Sequence, residues 1–238
     1  MPVTATADTA LRVRVHHAIG EPLCYTSVLD MGRHWERLLR RARIPLAYSQ
    51  GYHPHPRILF AAPLPVGYRA TDELLDIVLD RPHSPAGVRA LLLAQSPRGL
   101  EINEVEAVAP DAPVLQSLIS DARYTIELWS PASEEDIRGA LAAFESQTEV
   151  VRTRERKGRL QEYNLRELFS SLAYAHPEHL PLETEPRVHQ HVLEAIARCG
   201  SRGSGRPEEL IDALGVPYRS YRITRTGLIW SSDKEGAA

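Results

Sequence analysis

Residues 188–200, VHQHVLEAIARCG, decide how the second half of this 238-residue chain is read. Leu193, Ala195 and Ala197 are helix formers, so intrinsic propensity argues for a helix. The order of the surrounding elements argues for a strand. In the first half, LRVRVHH (11–17) alternates apolar and polar residues as a half-buried strand does. From Thr26 to Arg43 the period turns helical, with Val28, Met31, Trp35, Leu38, Leu39 and Ala42 on one side. Thr26 or Ser27 caps its start and Pro45 stops it. Strands over 57–62 and 73–79, a helix over 84–94 opened by Ser84 and Pro85, and an alternating strand over 100–108 follow. The order is β-α-β-β-α-β, the ferredoxin-like arrangement.

APDAP (109–113) reads as a linker, after which the order recurs. The pattern predicts a strand over 122–129, a capped helix over 133–144, a hairpin turning near Lys157 and Gly158, and a short helix over 166–175. A helix opened by Pro207 and a strand over 221–230 close the chain. If the second half repeats the first, 188–199 is its third strand, and that reading is adopted. The expected fold is therefore α+β: two tandem ferredoxin-like (βαββαβ) halves, 11–108 and 119–230. The second carries an inserted hairpin and helix.

Composition narrows the function classes. Hydrophobic residues at 43% and charged residues at 25% suit a soluble globular protein. No apolar run has the length of a membrane span, and MPVTATADTA lacks the layout of a signal peptide. The expected location is cytoplasmic, with no membrane partner. Two cysteines, Cys24 and Cys199, cannot build an all-cysteine zinc or iron–sulfur site. The net charge of -3 hides segregation: residues 1–70 carry nine Arg against four acidic residues, and 71–150 carry five against fifteen. Such asymmetry marks either a nucleic-acid surface or two segments that neutralise each other.

The richest stretch is YSQGYHPHPRILFAAPLPVG (48–67), directly after the basic helix. Together with RHWERLLRRARIPLA before it, this segment resembles the opening signature of an uncharacterised bacterial family whose members are called radical-SAM-linked or radical-SAM-associated proteins. The matching positions are Arg40, Arg41, Ala42, Pro45, Tyr48, Ser49, Gly51, Tyr52, His53, Pro54, His55, Pro56, Pro63, Leu64, Gly67 and Glu73. GSGRPEELIDALG (203–215) and RITRTGLIW (222–230) are similar to the family's closing helix and strand. The resemblance implies a radical SAM enzyme as partner. With no C-x-x-x-C-x-x-C in the chain, it implies the free-standing form, without the cluster of that enzyme.

The residues allow three chemistries. His53 and His55 stand one residue apart, and in an extended segment held by Pro54 and Pro56 both imidazoles point the same way. A catalytic metal needs a third ligand, for which His16, His17, His34 and Cys24 are available. The plain alternative is a pair of solvated histidines. An H-x-H pair supplies too few ligands on its own, so no metal and no cofactor is expected. Phosphate-loop, hydrolase-elbow and zincin motifs are absent from the sequence; GSRGSGR (200–206) lacks the Lys-Ser/Thr ending. Arg33, Arg37, Arg40 and Arg41 form one helical stripe in which Asp30 is the sole acid. Like charges at this spacing repel, and a phosphate backbone relieves them; so would the acidic segment of the same chain.

Three functions remain: a non-catalytic module presenting RNA or protein to a radical SAM enzyme, an enzyme or metal protein using His53 and His55, and a structural partner subunit. The first is preferred. Its expected ligand-binding residues are Arg33, Arg37, Arg41, Tyr48, Ser49, Gly51, Tyr52, His53, His55 and Arg57, with no catalytic residue assigned. Gly51 and Gly67 are expected to take conformations closed to other residues.

Overall fold

Alternation along the first strand sorts its side chains onto two different surfaces. In the computed structural model, which describes residues 10–109, 111–156, 158–176, 188–200 and 203–231, Val13, Val15 and His17 of β1 (Ala10–Ile19) are buried. Arg12, Arg14 and His16 alternate with them on the opposite face. The chain is α+β, with four α-helices among the described residues, and it divides into two units. The first runs to Ile119 and regains the chain at Trp230; the second is Ser120–Ile229.

In the first unit, α1 (Val28–Arg41), β2 (Ile58–Phe60), β3 (Arg69–His83), α2 (Pro85–Leu93) and β4 (Leu100–Ala107) follow β1. The strand order is β4-β1-β3-β2, and every neighbouring pair is antiparallel. Opposite residues across β1 and β3 include Val13 with Ile77, Val15 with Leu75, and His17 with Glu73. This face packs with Trp35, Leu38 and Leu39 of α1 and Val88 and Leu92 of α2 in one core. α1 starts where Ser27 accepts a hydrogen bond from the Asp30 amide. It ends at Arg41, and Arg43 then turns the chain at φ 54°.

The other face of β1 is ionic. The carboxylate of Asp76, fully buried, accepts from Nε of Arg12 at 3.0 Å and Nε of Arg14 at 2.8 Å. Arg14 also lies 3.6 Å from Glu106 and 5.0 Å over the Trp230 ring. Arg12 reaches on to the carbonyls of Ala112 and Pro113. A buried charge needs such pairing. Part of the basic surplus of residues 1–70 is thus neutralised by the acidic segment, through β1 rather than through α1.

In the second unit, β5 (Ile119–Ser130) leads to α3 (Glu134–Ser146), whose start is a capping box of Ser133 and Asp136. β6 (Val151–Arg156) and β7 (Arg159–Asn164) form a separate two-stranded hairpin around Gly158; Lys157 lies outside the described residues. Then come β8 (Phe169–Ala175), β9 (His189–Arg198), α4 (Pro207–Leu214) and β10 (Ser220–Trp230), in the order β10-β5-β9-β8.

Residues 188–199 are a strand. β9 pairs antiparallel with β5 from Asp121–Arg198 to Ser130–His189, burying Leu193, Ala195 and Ala197. The short helix expected over 166–175 is corrected. A single 3-10 turn spans Arg166–Leu168, and the rest is β8 along the free side of β9. Ser170 and Ser171 are weak helix formers, and pairing with β9 overrides the weak helical pattern.

Candidate functional site

The basic stripe survives folding on the outer side of α1. Met31, Trp35, Leu38 and Leu39 hold the inner side in the core, which turns Arg33, Arg37, Arg40 and Arg41 to exposed positions. Arg33 donates to Asp30 at 2.9 Å. The Ser27 hydroxyl and Arg33 hold the Asp30 carboxyl below its ordinary range, so this ion pair is fully charged at neutral pH. Arg41 donates to the carbonyl of Gln95 at 3.0 Å, which leaves its charge uncompensated. Arg37 and Arg40 have no ion pair among the described residues. Among the described residues no ion pair joins the acidic segment 71–150 to this helix. Arg40, which was not among the expected ligand-binding residues, is exposed beside Arg37 and Arg41.

The loop after α1 is a pinned base with an exposed tip. Its two legs lie beside β3: the Ala47 amide donates to Val78 O at 2.9 Å, and the Val78 amide donates to Arg57 O at 3.0 Å. Tyr48 pairs with Pro56 across the legs. Ser49 closes the loop twice, its amide donating to His55 O at 2.8 Å and its hydroxyl accepting from the His55 amide at 3.0 Å. Above that clasp, residues 50–54 are all exposed, Tyr52 at 94%. Gly51 and Gly67 take φ of 141° and 92°, where a side chain is strained.

The two histidines stand at different points of the loop. His53 sits in the bend at the tip, its ring edge-on to Tyr52 with centroids 4.9 Å apart, whereas His55 stands on the returning leg. Among the described residues no group of three or more His, Cys, Asp or Glu is placed to hold a metal ion. Tyr48, Arg57, His53 and His55 are all exposed, and no hydrogen bond or ring contact joins them to the α1 arginines among the described residues.

Arg154 lies over the Tyr163 ring at 4.7 Å. Burial, and then a hydrogen bond to Glu209, push the Tyr163 hydroxyl up to about 12. Asn164 ties the hairpin base through the Val150 and Arg166 amides. Of GSRGSGR, Ser201 and Arg202 lie outside the described residues.

One feature escaped the reading of the motifs. A pocket of the first unit is lined by His17 and Glu73 together with apolar residues that include Met31, Phe60, Leu64 and Pro65. His17 is 1% exposed and Glu73 4%. The signal was in the alternation. Position 17 continues Val13 and Val15, and position 73 precedes Leu75, Ile77 and Leu79, so both polar residues stand where the pattern calls for core.

A family model described as "Uncharacterized protein conserved in bacteria (DUF2344)" matches residues 12–207. No curated protein matches. Among solved structures, a chain of the "Crystal Structure of a Cbf5-Nop10-Gar1 Complex" is similar over 92% of this chain and 49% of that one. The identity is 13% and the TM-score 0.45; by the 49% coverage, this chain spans about half the length of its counterpart.

Proposed function

The chain belongs to this uncharacterised bacterial family, and we propose that it is a non-catalytic accessory protein that binds RNA through α1 and the 49–55 loop. The observation that carries the reading is the pair Arg37 and Arg40, exposed and without ion pairs among the described residues, on a helix whose other face is locked in the core. Such an array releases condensed counterions when it meets a phosphate backbone. The loop adds what arginine alone lacks. Tyr48 and Tyr52 are 51% and 94% exposed and offer ring faces on which bases of a single strand stack. His53, His55, Ser49 and Arg57 supply donors, and the clasp at Ser49 fixes the loop before binding, which lowers the ordering cost.

A radical SAM enzyme as the partner that receives the RNA rests on the resemblance of residues 40–73. Each unit is read here as ferredoxin-like, 11–108 and 119–230. Strand orders β4-β1-β3-β2 and β10-β5-β9-β8 support this: each is fourth-first-third-second in the unit's chain order, once the β6-β7 hairpin is set aside as an insertion.

The test is a titration of single-stranded RNA at several salt concentrations, followed by fluorescence anisotropy. Affinity should fall with salt, and Arg37→Ala with Arg40→Ala should weaken binding and reduce the log–log salt slope by about 1.4. RNA affinity that is absent, or untouched by the double variant, defeats the proposal.

A further inference from the structure

The hairpin of the second unit sorts its charges by face. Alternation along β6 and its register with β7 put Arg152, Arg154, Arg159, Gln161 and Tyr163 on one side. Val151, Thr153, Glu155, Leu160 and Glu162 stand on the other, so both acids of the two strands are on the face without these arginines. A hairpin that carried charge only for solubility would gain by setting acids opposite arginines, because opposite charges across a strand pair stabilise it and like charges do not. Here Arg152 and Arg154 stand roughly 6.6 Å apart along one strand, and Arg159 is the diagonal neighbour of Arg154. Arg159 is exposed, Arg152 and Arg154 are half-buried, and no ion pair joins any of the three to an acid among the described residues.

The two strands form a sheet of their own, and an isolated two-stranded hairpin is marginal in water. This one is held at its base. The Leu165 amide donates to Val150 O at 2.8 Å, the Asn164 side chain donates to Thr148 O at 3.1 Å, and the Tyr163 hydroxyl is hydrogen-bonded to Glu209 of α4. Tyr163 is half-buried with the Arg154 guanidinium over its ring, so it does not stand open as a platform for a base. The face therefore offers guanidinium groups without an exposed aromatic ring.

From this arrangement we propose that the arginine face of the β6–β7 hairpin is a second RNA contact, which grips the phosphate backbone of a double-stranded stem. A duplex keeps its bases stacked inside and turns its phosphates outward, and that suits cations with no stacking partner among them. The loop of the first unit, with Tyr48 and Tyr52 exposed, suits unpaired bases instead. An A-form stem is recognised through phosphate and sugar contacts across its wide, shallow minor groove, and a guanidinium meets phosphate oxygens in bidentate pairs. That the nucleic acid is RNA rests on the reading of α1 and its loop; the hairpin shares no residue with that site.

The test uses the full chain and a blunt RNA duplex with no unpaired bases, titrated at several salt concentrations by fluorescence anisotropy. Arg152→Gln with Arg159→Gln, which leaves Arg154 on Tyr163, should weaken duplex binding. The log–log salt slope should fall by roughly 1.8, at about 0.9 for each phosphate of a duplex. Arg152→Lys with Arg159→Lys should keep most of that slope, because an ammonium also binds phosphate as a point charge. Absent duplex affinity, or affinity untouched by the first double variant, overturns the proposal and leaves the α1 reading standing. Equal loss in both double variants overturns it too, since the charge is then not what binds. Duplex binding that depends on the hairpin, beside single-strand binding that ignores Arg37→Ala with Arg40→Ala, defeats the α1 reading and upholds this one.

Discussion

Tyr52 and His53 project from a clasp made by Ser49 and the His55 backbone, so removing the imidazoles leaves every bond of the loop base in place. His53→Ala with His55→Ala should therefore change stability by no more than about 0.5 kcal/mol, as exposed substitutions do. RNA affinity should fall in the same variant. Thermal melts beside the anisotropy titration check both, and a variant that unfolds identifies the loop as structural. His191 behaves differently. Its Nδ1 accepts from the Tyr174 hydroxyl at 3.0 Å, its Nε2 donates to Ala132 O at 3.1 Å, and burial holds its pKa below the ordinary 6.5. The folded imidazole resists a proton that the unfolded one takes, so the unfolded chain binds more protons in that window. Stability is complete above about pH 6.5 and declines as pH falls toward the lower folded value. Melting temperature against pH should show this decline, and His191→Gln should flatten it. None of this was legible in VHQH: the sequence shows two histidines at strand spacing, but the bonds of His191 come from β8 and from the turn before α3.

Among the elements, legibility followed local signals. α1, α2 and α3 begin at Ser27, Ser84 and Ser133, each a capping residue before an amphipathic run, and α4 opens on Pro207. The strands around 11–17, 73–79 and 122–129 alternate plainly. Residues 166–175 misled because FSSLAYA carries a marginal pattern whose outcome is set by a neighbour distant in sequence, β9. Helix-favouring β9 was recoverable because the order of elements demanded a strand there. Phe169, at the start of β8, is buried edge-on to Phe144 of α3 with centroids 6.2 Å apart. Phe169→Ala should cost about 3–5 kcal/mol by leaving a cavity there, measurable by denaturant titration. A loss below 1 kcal/mol would show that β8 is not anchored through this side chain.

At the scale of the whole chain, the first unit is discontinuous: it takes its last piece from Trp230, whose ring lies under Arg14. The Ser231 amide, next in sequence, donates to Leu118 O at 2.7 Å. Ending the chain at Ile229 should remove both contacts, and amide exchange along β1 should accelerate relative to that along β9. Equal exchange in both strands would mean that Trp230 adds nothing to the first unit. The charge segregation in the sequence left open whether the arginines meet a nucleic acid or the acidic segment, and which of them meet acids depends on the register of β1 with β3. Discontinuity also has a consequence for biosynthesis. A ribosome adds roughly 5–20 residues per second, so the stretch from Ile119 to Trp230 takes roughly 6–20 s to emerge. Throughout that interval the nascent first unit must hold Asp76, Arg12 and Arg14 together with no indole beneath them, and its completion waits on the end of β10.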